Sequence, residues 1–177
     1  MEHLTREELK SLLAISKAKD ERDWLIFLVG FSHALRISEI IGLETTDIKD
    51  GYMTIQRLKG SMKTTQALVA SSDPLFDEKT ALTNWASKVS TGKLFDITRQ
   101  RVWQLMKEYG TAAHIPAHKC HPHALKHTTA KLALANGMKL DALKKYMGHE
   151  SLSSTGYYLK CDDDEASKAF ADAMGSI

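Results

Sequence analysis

The run from Trp24 to Leu35, WLIFLVGFSHAL, constrains this chain more than any other stretch. Trp24, Leu25, Phe27, Leu28, Phe31 and Leu35 cover nearly the whole circumference of a helix. A helix that is apolar all round has to be enclosed by other elements. No apolar run approaches the ~20 residues of a membrane span. The pattern predicts a helix over residues 20–35, buried nearly all round, in a chain of one domain. Residues 5–19 predict an amphipathic neighbour for it. Thr5 with Glu8 three residues on makes a capping box, and Leu9, Leu12, Leu13 and Ile15 form the apolar stripe. The start, MEHLTREELK, has no signal-peptide pattern, and Cys120 and Cys161 give no disulfide framework. A reduced, cytoplasmic protein is the expectation.

Arg36 follows the apolar run at once, and residues 38–43 predict another short helix. An arginine in that place either complements a helix C-terminus or is an anion-binding group held rigid by the core beneath it. From Thr46 the period changes to two. Ile48, the Asp50-Gly51 turn, and Tyr52, Thr54 and Gln56 alternating with Met53 and Ile55 read as strands. Residues 59–63 form a turn and residues 66–70 a return strand. The expectation is a mainly α chain with a small antiparallel β-sheet of about three strands, its hairpin tip carrying Arg57, Lys59 and Lys63. Basic tips are commonly just solvated, but they also suit insertion toward DNA.

Residues 74–89 predict a helix around Leu75, Leu82 and Trp85, with a break at Thr91-Gly92 and a short extended piece at Leu94 and Phe95. Thr98 then caps a helix ending at Gly110. Val102, Leu105 and Met106 face inward, leaving Arg99, Arg101 and Lys107 for phosphate contacts or an ordinary solvated face. Residues 121–158 read as helix, turn, helix, turn, helix. Pro122 suits a first turn, and His123, Lys126 and His127 at i, i+3 and i+4 share one side. Gly137 stops that helix, and a second, Leu140 to Met147, ends at Gly148-His149. His123 and His127 have the spacing of a helical metal pair. There is no Cys-x-x-Cys and no Glu beside the first His, so a zinc site is a weak reading.

The formal net charge is +2. Residues 162–177 hold five acids against Lys168, a balance of −4, which leaves +6 on the rest. That distribution is compatible with a nucleic-acid surface. The acidic start of this tail suits a helix N-terminus, and Ala166, Ala169, Phe170, Ala173 and Met174 give it an apolar face.

Four segments, in order, resemble the tyrosine recombinases, the phage-integrase family. HALRISEIIGLETTDI resembles the family's first arginine box, and LKGSMKTTQALVAS its lysine hairpin. HPHALKHTTAKLALANG resembles the His-x-x-Arg helix, and YMGHESLSSTGYY the Leu-Gly-His…Tyr block. The resemblance implies the family's catalytic-domain α+β fold and a site-specific recombinase or integrase that acts on double-stranded DNA. Such an enzyme works without a cofactor or metal, as a homo-oligomer (a synaptic tetramer) away from any membrane. It implies catalytic roles for Arg36, Lys59, His123, Lys126, His149 and Tyr158. Tyr158 would be the nucleophile giving a 3′-phosphotyrosyl link, with cationic side chains neutralising the phosphate. Arg57, Lys63, Arg99, Arg101 and His127 are the candidate DNA-binding residues around it.

Two departures qualify the resemblance. Lys126 stands where the family has its second arginine, which keeps the charge and loses the bidentate fork. A non-catalytic DNA-binding regulator with the recombinase fold is therefore the alternative. The family's N-terminal DNA-clamping domain is not found in the ~20 residues ahead of the first core helix, so either a catalytic domain of a longer protein or a minimal relative is expected. Residues 1–161 are expected to form the DNA breaking-rejoining domain. Residues 162–177 are expected to form a tail helix docking in cis or in trans.

Overall fold

The computed structural model describes residues 2–57, 63–89 and 92–148. Helix α1 (Arg6–Lys19) starts as its sequence demands: the Thr5 hydroxyl accepts from the Glu8 N–H at 3.1 Å, and the Glu8 carboxylate accepts from the Thr5 N–H at 2.7 Å. Helix α2 (Glu21–Ser32) is capped by Asp20 and buries every residue from Asp23 to Gly30. It packs against α1, against α4 (Glu78–Lys88) and against α6 (His123–Ala135), so the all-apolar helix is the enclosed one.

The helix stops three residues before the apolar pattern does. Ala34 adopts a left-handed backbone, φ 52°, and the Leu35 N–H reaches back to the Gly30 carbonyl at 3.1 Å. Ala34 and Leu35 stay buried through this turn. Periodicity reports burial, and here burial continues after the helical bonds have ended. Helix α3 (Ile37–Ile40) follows, with Arg36 at its N-terminal cap.

Strands β1 (Ile48–Lys49), β2 (Tyr52–Ile55) and β3 (Thr64–Ala67) form an antiparallel sheet in that order. Asp50 and Gly51, both at positive φ, make the tight turn that Asp-Gly favours between twisted strands. Met53 pairs with Gln66 and Ile55 with Thr64, and Met53 and Ile55 point into the core. The return strand starts two residues earlier than the sequence pattern indicates, at Thr64.

Helix α4 is shorter than the predicted 74–89. Residues 74–76 are a turn, started by the Asp73 carboxylate accepting from the Leu75 N–H at 2.9 Å. Helix α5 (Arg99–Ala112), capped by Thr98, runs two residues past Gly110. The piece before it is held by an isolated bridge between Glu44 and Lys93 and by the Leu94 N–H on the Leu43 carbonyl at 2.8 Å. Gly137, φ 87°, follows α6, and α7 (Leu140–Tyr146) is seated by a small cluster of Ala34, Ala130, Leu143 and Met147. Residues 59–62 of the expected turn, the Tyr157-Tyr158 segment and the tail at 162–177 lie outside the described residues.

Candidate active site

Arg36 is positioned by the residue three places after it. Its N–H donates to Glu39 Oε2 at 2.8 Å, and its Nη1 donates to Oε1 at 3.0 Å. Glu39 is buried and faces a second guanidinium, Arg57, whose Nη1 lies 3.2 Å from Oε2. Burial alone would raise the Glu39 pKa. The Arg36 N–H and the charges of Arg57, Lys126 and Arg36 outweigh it and hold the carboxyl below its usual range. The carboxylate is thereby a fixed anchor between two arginines. The Arg36 side chain keeps 35% of its surface exposed and lines an open cleft with Ser38, Arg99, Trp103 and His123.

His123 stands at the exposed start of α6, its pKa lowered by partial desolvation and then by the Lys126 charge. A ring of that kind is neutral near pH 7 and can accept a proton. His127 stacks on it with centroids 6.1 Å apart. Burial, and then His123, push the half-buried His127 down to about 4, so it serves as a neutral support for His123.

Lys126, one turn into α6, is 4% exposed, and its Nζ has no hydrogen-bond partner among the described residues. Burial and then the Arg36 cation depress its pKa to about 8, with Glu39 partly offsetting them. Among the described residues, an ammonium held among two guanidiniums with one carboxylate between them is short of negative charge. The group that completes such a site is an anion.

Arg57 corrects the reading of the hairpin. It is 3% exposed: Nη1 donates to Glu39 and the Ala34 carbonyl, Nη2 to the His33 carbonyl at 3.2 Å and the Tyr146 carbonyl at 3.0 Å, and Nε to Thr64 Oγ1 at 3.2 Å. It therefore acts inside the protein and is not an exposed DNA-facing residue. The alternation held the reason, since inward-facing Met53 and Ile55 are followed two residues on by Arg57.

Of the other expected residues, Arg99 joins Arg36 and His123 in the cleft. Arg101 is tied to Glu108 at 2.8 Å on the exposed face of α5. Lys63 is exposed at the base of the hairpin, in a groove it shares with Gln66 and Tyr146. Lys59, His149 and Tyr158 lie outside the described residues. Among the described residues, no three His, Cys, Asp or Glu side chains converge as metal ligands. Glu39 and Trp103 escaped the sequence reading. The signal for Glu39 was available, an acid at i+3 from Arg36 inside an otherwise apolar run; Trp103 gave none.

Three similarities bear on this arrangement. The Thermococcus kodakarensis tyrosine recombinase XerA is 32% identical over 176 residues, which cover 94% of this chain and 60% of that protein. The catalytic domain of bacteriophage HP1 integrase superposes with a TM-score of 0.67 at 22% identity, covering 96% of this chain and 94% of that one. The XerH recombinase, in a pre-cleavage complex with its difH substrate, gives a TM-score of 0.76 at 18% identity, covering 97% and 54%. The chain thus spans about 60% of the length of the XerA relative. The model of the phage integrase family matches residues 2–165, and this chain belongs to that family of tyrosine recombinases.

Proposed function

We propose that this chain is the DNA breaking-and-rejoining domain of a site-specific recombinase. The observation that carries the reading is the convergence of Arg36, Arg99 and His123 on one cleft, with the Lys126 ammonium, unpartnered among the described residues, packed behind it. A phosphodiester, singly negative and with two non-bridging oxygens, supplies the anion this cluster lacks.

In the proposed reaction the Tyr158 oxygen attacks the scissile phosphorus and the bond to the 5′-oxygen breaks. Lys59 gives that oxygen its proton, leaving a 3′-phosphotyrosyl link and a free 5′-hydroxyl. His123, neutral with a lone pair available, assists removal of the tyrosine proton. Arg36, Lys126 and His149 hold the non-bridging oxygens as charge builds on them. Reversal on a partner strand rejoins the DNA. Binding to double-stranded DNA is expected to weaken steeply with salt. Assembly as a homo-oligomer on DNA, with residues 162–177 docking between protomers, is part of the same proposal.

The test is covalent adduct formation on denaturing gels, with nicked duplexes drawn from DNA flanking the chain's own gene. Adduct that disappears in Tyr158→Phe is the expected outcome. Adduct that forms only after Lys126→Arg would mean the natural site does not cut, and would move the reading to a DNA-binding regulator.

A further inference from the structure

Behind the cleft lies a second polar cluster that the cleavage chemistry does not use. His33, just past the end of α2, is fully buried, and its Nε2 lies 2.9 Å from Oε1 and 3.1 Å from Oε2 of Glu78. Glu78, the first residue of α4, is fully buried too, and its Oε2 also accepts from the Val69 N–H at 3.0 Å. On the other side of the ring, Nδ1 lies 2.6 Å from Oε1 of Gln66, on β3. Tyr146, the last residue of α7, stacks on the imidazole at 6.5 Å and donates its hydroxyl to the Ser32 carbonyl at 2.7 Å.

Donor counting fixes the Nδ1 side of this cluster. Gln66 Nε2 lies 2.6 Å from the Tyr146 carbonyl, a position only a donor can fill. The other end of the amide, Oε1, therefore faces His33, and Nδ1 carries the proton between them. The opposite tautomer would set a lone pair against Oε1 and favour turning the amide over. That would put its oxygen against the Tyr146 carbonyl. Arg57 Nη2 grips the same carbonyl at 3.0 Å. The C-terminal end of α7, two residues before Gly148, is thus clamped by one donor from β3 and one from just past β2. Through Glu39, Arg57 joins that clamp to Arg36.

We infer that His33 is a positioning residue for the proposed cleavage site: its Nδ1–H orients Gln66, and Gln66 with Arg57 holds the end of α7 and the hairpin in one placement relative to Arg36. The inference rests on the cleavage reading above for its catalytic consequence, and its structural part is measured without DNA. Nitrogen-15 NMR of the His33 ring in the full chain is expected to show a protonated Nδ1; an unprotonated Nδ1 would overturn it. Gln66→Met keeps the length of the side chain and removes the amide. It is expected to speed amide exchange at Met147 and Gly148 at least about tenfold. Adduct formation is expected to fall by about 10- to 100-fold, with DNA affinity changed by less than about threefold. Unchanged exchange and unchanged cleavage would sink the proposal.

Glu78→Gln separates orientation from simple packing. Its carbonyl oxygen can keep the Val69 N–H while its NH₂ donates to Nε2, which leaves Nδ1–H in place. Slow exchange at the end of α7 and cleavage within about threefold of the unsubstituted chain are expected, with both lost in Glu78→Leu. Loss in Glu78→Gln as well would overturn the proposal. Absence of adduct from the unsubstituted chain would count against the cleavage reading alone, because the ring NMR and the exchange of α7 decide the positioning independently.

Discussion

Arg36 and Arg57 grip the same carboxylate from two sides, at 3.0 and 3.2 Å, yet they do different things. The Arg57 side chain has no exposed surface, and it commits its donors to Glu39, to three backbone carbonyls and to Thr64. Arg36 keeps a third of its side chain open to the cleft. One arginine is foundation and the other is reach, and a single buried acid couples them. Residue type and partner do not distinguish the two roles. Exposure does.

The largest effect should come from removing the foundation. Arg57→Met leaves Glu39 buried with its best counter-charge gone and the His33 and Ala34 carbonyls without the donor Arg57 gave them, while the Tyr146 carbonyl keeps Gln66. Breaking a buried pair from one side costs about 3–5 kcal/mol, so urea denaturation should show a loss in that range. A loss under ~1 kcal/mol would mean that Arg36 alone can compensate Glu39 and that the division of roles is wrong.

Arg36→Ala should invert that pattern. Glu39 keeps Arg57 and the residue-36 backbone N–H, and a half-exposed pair contributes little, so stability should move by no more than about 1 kcal/mol. Loss of a transition-state contact worth ~3 kcal/mol should lower adduct formation about a hundredfold or more. Equal stability losses from the two substitutions would erase the comparison.

Much of this contrast was legible in the chain and part was not. The grouping of Arg36 with His123 was implied only by the family resemblance. The enclosed helix, the Thr5 and Thr98 caps and the Asp-Gly turn followed from periodicity and capping chemistry. The end of α2 did not, because Ala34 and Leu35 remain buried after the helix has stopped. Arg57 was assigned to the hairpin tip for its charge, although the alternation after Met53 and Ile55 already turned it inward. The links from His33 to Glu78 and from Gln66 to Tyr146 join residues 45 and 80 positions apart, and no local pattern records such pairings.

Lys126 sharpens the comparison, since it is as buried as Arg57 but lacks a hydrogen-bond partner among the described residues. Its pKa in the folded chain, about 8, lies below the ordinary lysine value. The charged form is therefore disfavoured by folding, and the fold gains stability as pH rises from about 8 toward the unfolded value. Lys126→Met should stabilise the DNA-free chain at pH 7 by about 1–3 kcal/mol while lowering adduct formation. A bound phosphate reverses the preference and draws a proton onto the amine. DNA affinity should then fall above pH 8 by up to about tenfold per pH unit. The decline should flatten in Lys126→Arg, which stays charged. A pH-independent affinity for the unsubstituted chain would show that Lys126 does not sense the phosphate.

The smallest effect is expected at Ala34, whose left-handed turn brings the His33 and Ala34 carbonyls within reach of Arg57. A non-glycine residue at φ 52° carries about 1 kcal/mol of strain that Ala34→Gly would relieve. The same substitution removes a fully buried methyl from the cluster that seats α7, a loss of about 0.8 kcal/mol or slightly more. The two terms nearly cancel, so chemical denaturation should place Ala34→Gly within about 0.5 kcal/mol of the unsubstituted chain. Ala34→Val keeps apolar volume but puts a β-branched residue at positive φ, and should cost more than Gly does. If Gly proved the costlier of the two, the methyl packing under α7 would outweigh the turn, and the carbonyls facing Arg57 would owe their placement to α7 and not to the backbone of residue 34.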